Sequence, residues 1–358
     1  MDILVLILAV ASFWGMKVSV SGHSDYINKN QTDSIKGIFA IIILFSHMRD
    51  YLPPPSGSYD AAYYGMLNYL GQLMVVMFLF YSGYGIMEAL KRDLRRYSDN
   101  FLTHRLLKVW LMFAIAVTLY MLMNLLLQRD YEIKTVLMSY IGWESIGNSN
   151  WFVFDILVLY LFTYISLRIS AYAGLNLKSV ALIVALMSLA LCALFIRMGK
   201  GPWWYDTVLA YPLGMYYSLY RQKIERIVSG NAWFMAVLVA GAVFALFYLR
   251  DVLVFATIGY EGIAGYVSLG TFLLTSGTFA FLLVLLSMRI KIDNKILRWL
   301  GVNAFAIYIL QRIAMITASH MGWNSNSLYF AAIVIPVTLL ISAVFTAATG
   351  KINKVLFH

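Results

Sequence analysis

Lys36 opens an apolar run from Ile35 to Asp50, and His47 stands eleven residues further along it. At about 1.5 Å per helical residue the imidazole lies some 16 Å beyond the lysine. That is about half the depth of a bilayer's hydrocarbon core, where an ionisable group is by default a candidate for function. Imidazole titrates near neutral pH, so it can take a proton from a hydroxyl or carry a transferred group. A second set of residues suits a different partner. Arg105 and Lys108 stand three apart behind Phe101, two cations at a helix entrance that fit a phosphate-bearing ligand. Between them lies FLFYSGY, Phe78 to Tyr84, where Ser82, Gly83 and Tyr84 offer close approach and hydroxyl donors. Asp155, Glu261, Asp206 and Glu88 are carboxylates in or beside apolar segments, any of which could orient a histidine. Asp155 ranks first among them because it follows Trp151 and Phe152 inside a span.

The elements that must hold these residues are membrane helices. Of 358 residues, 61% are hydrophobic and 12% charged, with a mean hydropathy of +0.76. Soluble domains carry about 25% charged residues, so the chain is expected to be an all-α, polytopic bundle. A span needs about 20 apolar residues. Eleven segments approach that length: 3–20, 35–52, 66–90, 106–127, 151–169, 178–197, 203–220, 231–249, 264–288, 297–319 and 328–349. Residues 134–148 and 251–263 are apolar but broken, and read as short interfacial or re-entrant pieces. Cys192 is the single cysteine, which leaves no disulfide framework and no metal-ligand spacing.

The basic residues give a direction. With the N-terminus outside, twenty of the 27 lysines and arginines fall on the cytoplasmic side and seven on the other, as the positive-inside rule requires. The net charge of +10 is therefore a feature of loops facing a membrane, and nucleic acid is not expected as a partner. The lipid bilayer is. The whole chain, 1–358, reads as one membrane-embedded domain: an extra helix over 1–20, then a ten-helix core over 35–349.

Taken in order, these motifs resemble the acyltransferase-3 family of integral membrane O-acyltransferases. Lys36 and His47 match its basic-x10-histidine motif, and Phe78 to Tyr84 its phenylalanine-rich run into Ser-Gly-Tyr. Phe101, Arg105, Lys108 and Trp110 are similar to its third motif. NSNWFVFDILVLYL, WWYDTVLAYPLGMYYSLY and LGVNAFAIYILQRI fit later segments. Leu111 replaces a frequent proline, Lys108 the second arginine, and Gln311 a frequent histidine. The likeness is to the stand-alone branch, polysaccharide O-acetyltransferases among them.

The resemblance implies transfer of an acyl group, usually acetyl from acetyl-CoA, to a hydroxyl of a cell-surface carbohydrate. Acetyl-CoA then serves as donor substrate, and no metal is expected. His47 would be general base or acyl carrier, with Asp155 beside it. Lys36, Arg105, Lys108, Ser82, Gly83 and Tyr84 would hold the donor, and Trp151, Tyr308 and Gln311 the acceptor. A homodimer is left open as an arrangement, and a cytoplasmic membrane as the location. A transporter or flippase is the rival reading, and a non-catalytic family member a third.

Overall fold

The computed structural model describes residues 1–53, 60–258 and 263–357. It is a helical bundle with almost no sheet. Helix α1 (Asp2–Phe13) leads into a short strand, β1 (Met16–Val18), and then α2 (Lys29–Arg49). Next come α3 (Ala61–Leu70), α4 (Leu73–Arg92) and the short α5 (Leu94–Asp99). A π-helical turn over Leu102–Leu107 runs directly into α6 (Lys108–Leu126). After α7 (Ile133–Ser139) follow α8 (Trp151–Tyr172), α9 (Leu177–Arg197) and α10 (Ala210–Ile227). Helices α11 (Ala232–Ile258) and α12 (Ile263–Arg289) pack on each other. Strand β2 (Ile290–Ile292), α13 (Lys295–Val302), α14 (Ala304–His320) and α15 (Ser327–Phe357) complete the order.

Among the described residues, seven helices are long and apolar enough to cross a membrane. They are α4, α6 with its π turn, α8, α9, α11, α12 and α15. The pair α13–α14, bent by 76° at its break, makes an eighth if it is counted as one span. The chain is a multi-pass membrane protein. A helix occupies part of each of the eleven expected segments, with differences that have physical causes. Helix α1 has twelve residues, about 18 Å, and β1 takes up the rest of the expected 3–20 span. Helices α2 and α10 are long enough but not among the apolar seven, because charged residues cluster at one end of each: Lys29, Asp33 and Lys36 in α2, and Arg221, Lys223, Glu225 and Arg226 in α10. Residues 251–258 continue α11 instead of starting a separate piece. Glu261 lies outside the described residues.

Two reciprocal pairs of glycine contacts set the framework. A Cβ on Gly37 of α2 would collide with the Leu297 carbonyl of α13, and one on Gly301 of α13 with the Asp33 carbonyl of α2. The same reciprocity joins α4 and α10: Gly83 faces the Tyr211 carbonyl, and Gly214 faces the Phe80 carbonyl. Removing side chains lets backbones approach where lipid gives no hydrophobic force to bring helices together. The core lies among these pairs and their neighbours, with Leu44, Met77, Leu79, Phe113, Val153 and Leu310 buried. In contrast, Leu238, Val239 and Leu246 of α11 are exposed, as a lipid-facing helix requires.

Strand β1 pairs antiparallel with β2, Lys17 opposite Lys291. The Asn294 side chain reinforces the tie by donating to the Ala11 carbonyl at 2.9 Å while capping α13 through the Ile296 and Leu297 N–H groups. Asn28 caps α2 in the same way, accepting from the Gln31 N–H at 2.8 Å.

Candidate active site

A cavity of about 920 Å³ opens where α2 begins and α4 and α10 end. Its α2 wall runs from Lys29, Thr32 and Asp33 into the stripe Lys36, Ala40, Ile43. Steps of four and three keep those residues on one helix face, and a further step of four reaches His47. Phe78, Ser82 and Gly85 of α4, Phe152 and Tyr160 of α8, and Tyr308 of α14 form the remaining apolar-aromatic wall. Five cations line the cavity: Lys29, Lys36, Arg92, Arg105 and Arg221. The acids are Asp25, Asp33 and Glu88, so the mouth carries net positive charge. At its rim the Asn28 amide, aided by the Lys291 ammonium, holds the Asp25 carboxyl below the usual carboxylate range.

The π-helical turn decides which of the expected cations enter. A π turn winds through more residues than an α turn, so residues three apart no longer share a face. Arg105 and Val109 line the cavity while Lys108 does not. Arg105 is held there by its neighbours, donating from Nε to the Tyr97 hydroxyl at 2.7 Å with its guanidinium over the Tyr97 ring. Lys36 is at the wall but already paired, 2.6 Å from the Asp33 carboxylate, whose side chain is only 6% exposed.

The α4 motif divides in two. Ser82 and Tyr84 face the cavity, Ser82 Oγ lying 3.0 Å from the Tyr160 hydroxyl. Gly83 faces α10 and serves packing instead of ligand contact. Arg221, which sequence reasoning counted only as a loop cation, is a wall residue. It donates to the Tyr84 hydroxyl at 2.8 Å, to Glu225 Oε1 at 2.7 Å and to the Ser24 carbonyl at 3.1 Å.

His47 lies just beyond the deep end of the cavity wall, its ring centroid 5.9 Å from that of Tyr308. Its Nδ1 is 2.6 Å from Gln311 Nε2. Gln311 is fully buried and sits behind the histidine, not on the cavity wall. Trp151 is also off the wall; it packs edge-on against Phe152, which does line the cavity and in turn packs edge-on against Tyr308. Asp155 is fully buried in α8, and among the described residues neither carboxylate oxygen has a hydrogen-bond partner. No hydrogen bond joins it to His47, so the expected histidine–carboxylate pair is not formed. Tyr308 is a wall residue in ring contact with His47.

A helical membrane protein with a cationic mouth leading toward a deep histidine is the class these features define. The chain matches the acyltransferase-3 family, described as an acyltransferase domain, over residues 30–347. It belongs to that family and is a membrane acyltransferase. Neither a curated protein nor a solved structure shows a significant match to it.

Proposed function

We propose that the protein transfers acetyl from acetyl-CoA to a hydroxyl of a cell-surface carbohydrate, with His47 as the reacting imidazole. The observation that carries this reading is the continuity of one helix face: Lys36, Ala40 and Ile43 run along the cavity wall and point on to His47. The phosphates of CoA are received at the mouth by Arg105, Arg221 and Arg92, and the pantetheine arm extends along the aromatic wall toward the histidine. The basic asymmetry of the loops supports a mouth on the cytoplasmic side, and the membrane is read as the cytoplasmic one. The acceptor reaches His47 from the opposite face.

Acyl transfer needs a base for the acceptor proton or a carrier for the acyl group, and a donor for the charge that develops on the thioester oxygen. His47 fills the first role. Tyr308 fills the second, since it lines the cavity and its ring lies against that of His47. The test is incubation of the purified protein with radiolabelled acetyl-CoA and candidate glycans. Label in glycan together with thioester loss supports the enzyme. Glycan movement across a vesicle membrane without acetylation would replace it with a transporter.

A further inference from the structure

Gln311 Nε2 makes two contacts: 2.6 Å to His47 Nδ1 and 3.2 Å to the Tyr308 carbonyl oxygen. A backbone carbonyl only accepts, so the amide edge facing it is the NH₂ group. That group has a second hydrogen, and Nδ1 receives it. Nδ1 therefore offers a lone pair. A neutral imidazole has one such pair, so its hydrogen sits on Nε2. Turning the amide over would set Oε1 against the Tyr308 carbonyl, two acceptors face to face.

We infer that Gln311 is a positioning residue that holds His47 in the Nε2–H tautomer. The ring edge opposite Gln311 then presents an N–H, and the lone pair faces a buried amide off the cavity wall. In this state His47 meets the thioester as a hydrogen-bond donor, alongside the Tyr308 hydroxyl. In this tautomer the nitrogen free to take a proton is Nδ1, the one that Gln311 covers. The catalytic consequence rests on the acyl-transfer reading above; the tautomer does not.

The test needs no substrate. The protein is labelled with [¹⁵N]histidine, placed in lipid nanodiscs above the imidazole titration range, and the His47 signals are assigned by their loss in His47→Gln. Long-range proton–nitrogen couplings then show which nitrogen is protonated. Wild type should show a protonated Nε2 and a bare Nδ1. In Gln311→Glu the carboxylate can only accept, so the pattern should exchange. In Gln311→Met neither tautomer is held and the two nitrogens should move toward an averaged shift. A wild-type ring protonated on Nδ1 overturns the inference without touching the acyl-transfer reading. So does a wild-type pattern that survives in both variants. Should either variant fail to fold, the wild-type spectrum alone still decides.

Discussion

Arg221 on α10 joins the Tyr84 hydroxyl on α4 at 2.8 Å and, through a second nitrogen, the carbonyl of Ser24 in the segment before α2. One side chain thus ties a cavity wall to the loop that borders the mouth. Arg221→Gln should raise the donor KM and make residues 19–28 more sensitive to protease. Arg221→Lys should rescue little, because a point charge cannot fork among Tyr84, Ser24 and Glu225. Full rescue by lysine would show that only the charge matters.

His47→Ala and His47→Gln should each abolish acyl transfer while gel-filtration behaviour in detergent stays that of wild type. The glutamine keeps hydrogen bonding but has no titrating nitrogen. Near-normal turnover in either variant would remove His47 from the chemistry.

Lys36 and Arg105 should fail in different ways. Arg105→Gln should weaken acetyl-CoA binding by roughly 10- to 150-fold, the loss of about 1.5–3 kcal/mol from a hydrogen bond to a charged group. A truncated thioester without nucleotide phosphates should be indifferent to the change. Lys36→Gln leaves Asp33 buried without its partner, and should cost on the order of 3 kcal/mol in stability. Adding Asp33→Asn should recover most of it in thermal unfolding. Equal impairment of both donors by Arg105→Gln would show that this arginine does not read phosphate.

Two glycines of α4, one residue apart across Tyr84, should part company. A Cβ at Gly83 meets the Tyr211 carbonyl, whereas one at Gly85 meets nothing within 4 Å. Gly83→Ala should destabilise by about 1–3 kcal/mol, the range for overpacking, and Gly85→Ala by much less. A tolerated Gly83→Ala would mean that α4 and α10 can separate without loss.

Orientation is tested with single cysteines in a Cys192→Ser background. Positions in 91–100 should resist an impermeant thiol reagent on intact cells, and positions in 130–149 should react. The reverse pattern would invert the protein and with it the donor route.

Hydropathy made the bundle and most of its helices legible, because a lipid-facing helix must be apolar along its length. It worked least well for α2 and α10, which neighbours cover and which carry the site. The Lys36–His47 spacing was legible as one helix face because α2 is regular throughout. Lys108 lies off the cavity wall, which nothing in LTHRLL announces, and Gly83 faces α10, which a glycine in a sequence does not reveal. The link from His47 to Gln311 crosses 264 positions of sequence, where no local pattern can pair them. Asp155 lies inside α8, as its apolar surroundings in the sequence indicate, but its rotation about that helix was beyond a one-dimensional reading.

The contact of Gly37 with Leu297 also has a consequence for biogenesis. Helix α2 is made early, yet the helix that seats against it emerges some 260 residues later. At ordinary synthesis rates of about 5–20 residues per second, α2 waits roughly 10–50 s in the bilayer with Asp33, Lys36 and His47 uncovered by α13 and α14. During that interval the unfinished chain is a natural client for whatever insertase or chaperone shields polar helix faces from lipid. Truncations that stop before residue 297 should be cleared by membrane proteases rather than accumulate as inactive enzyme.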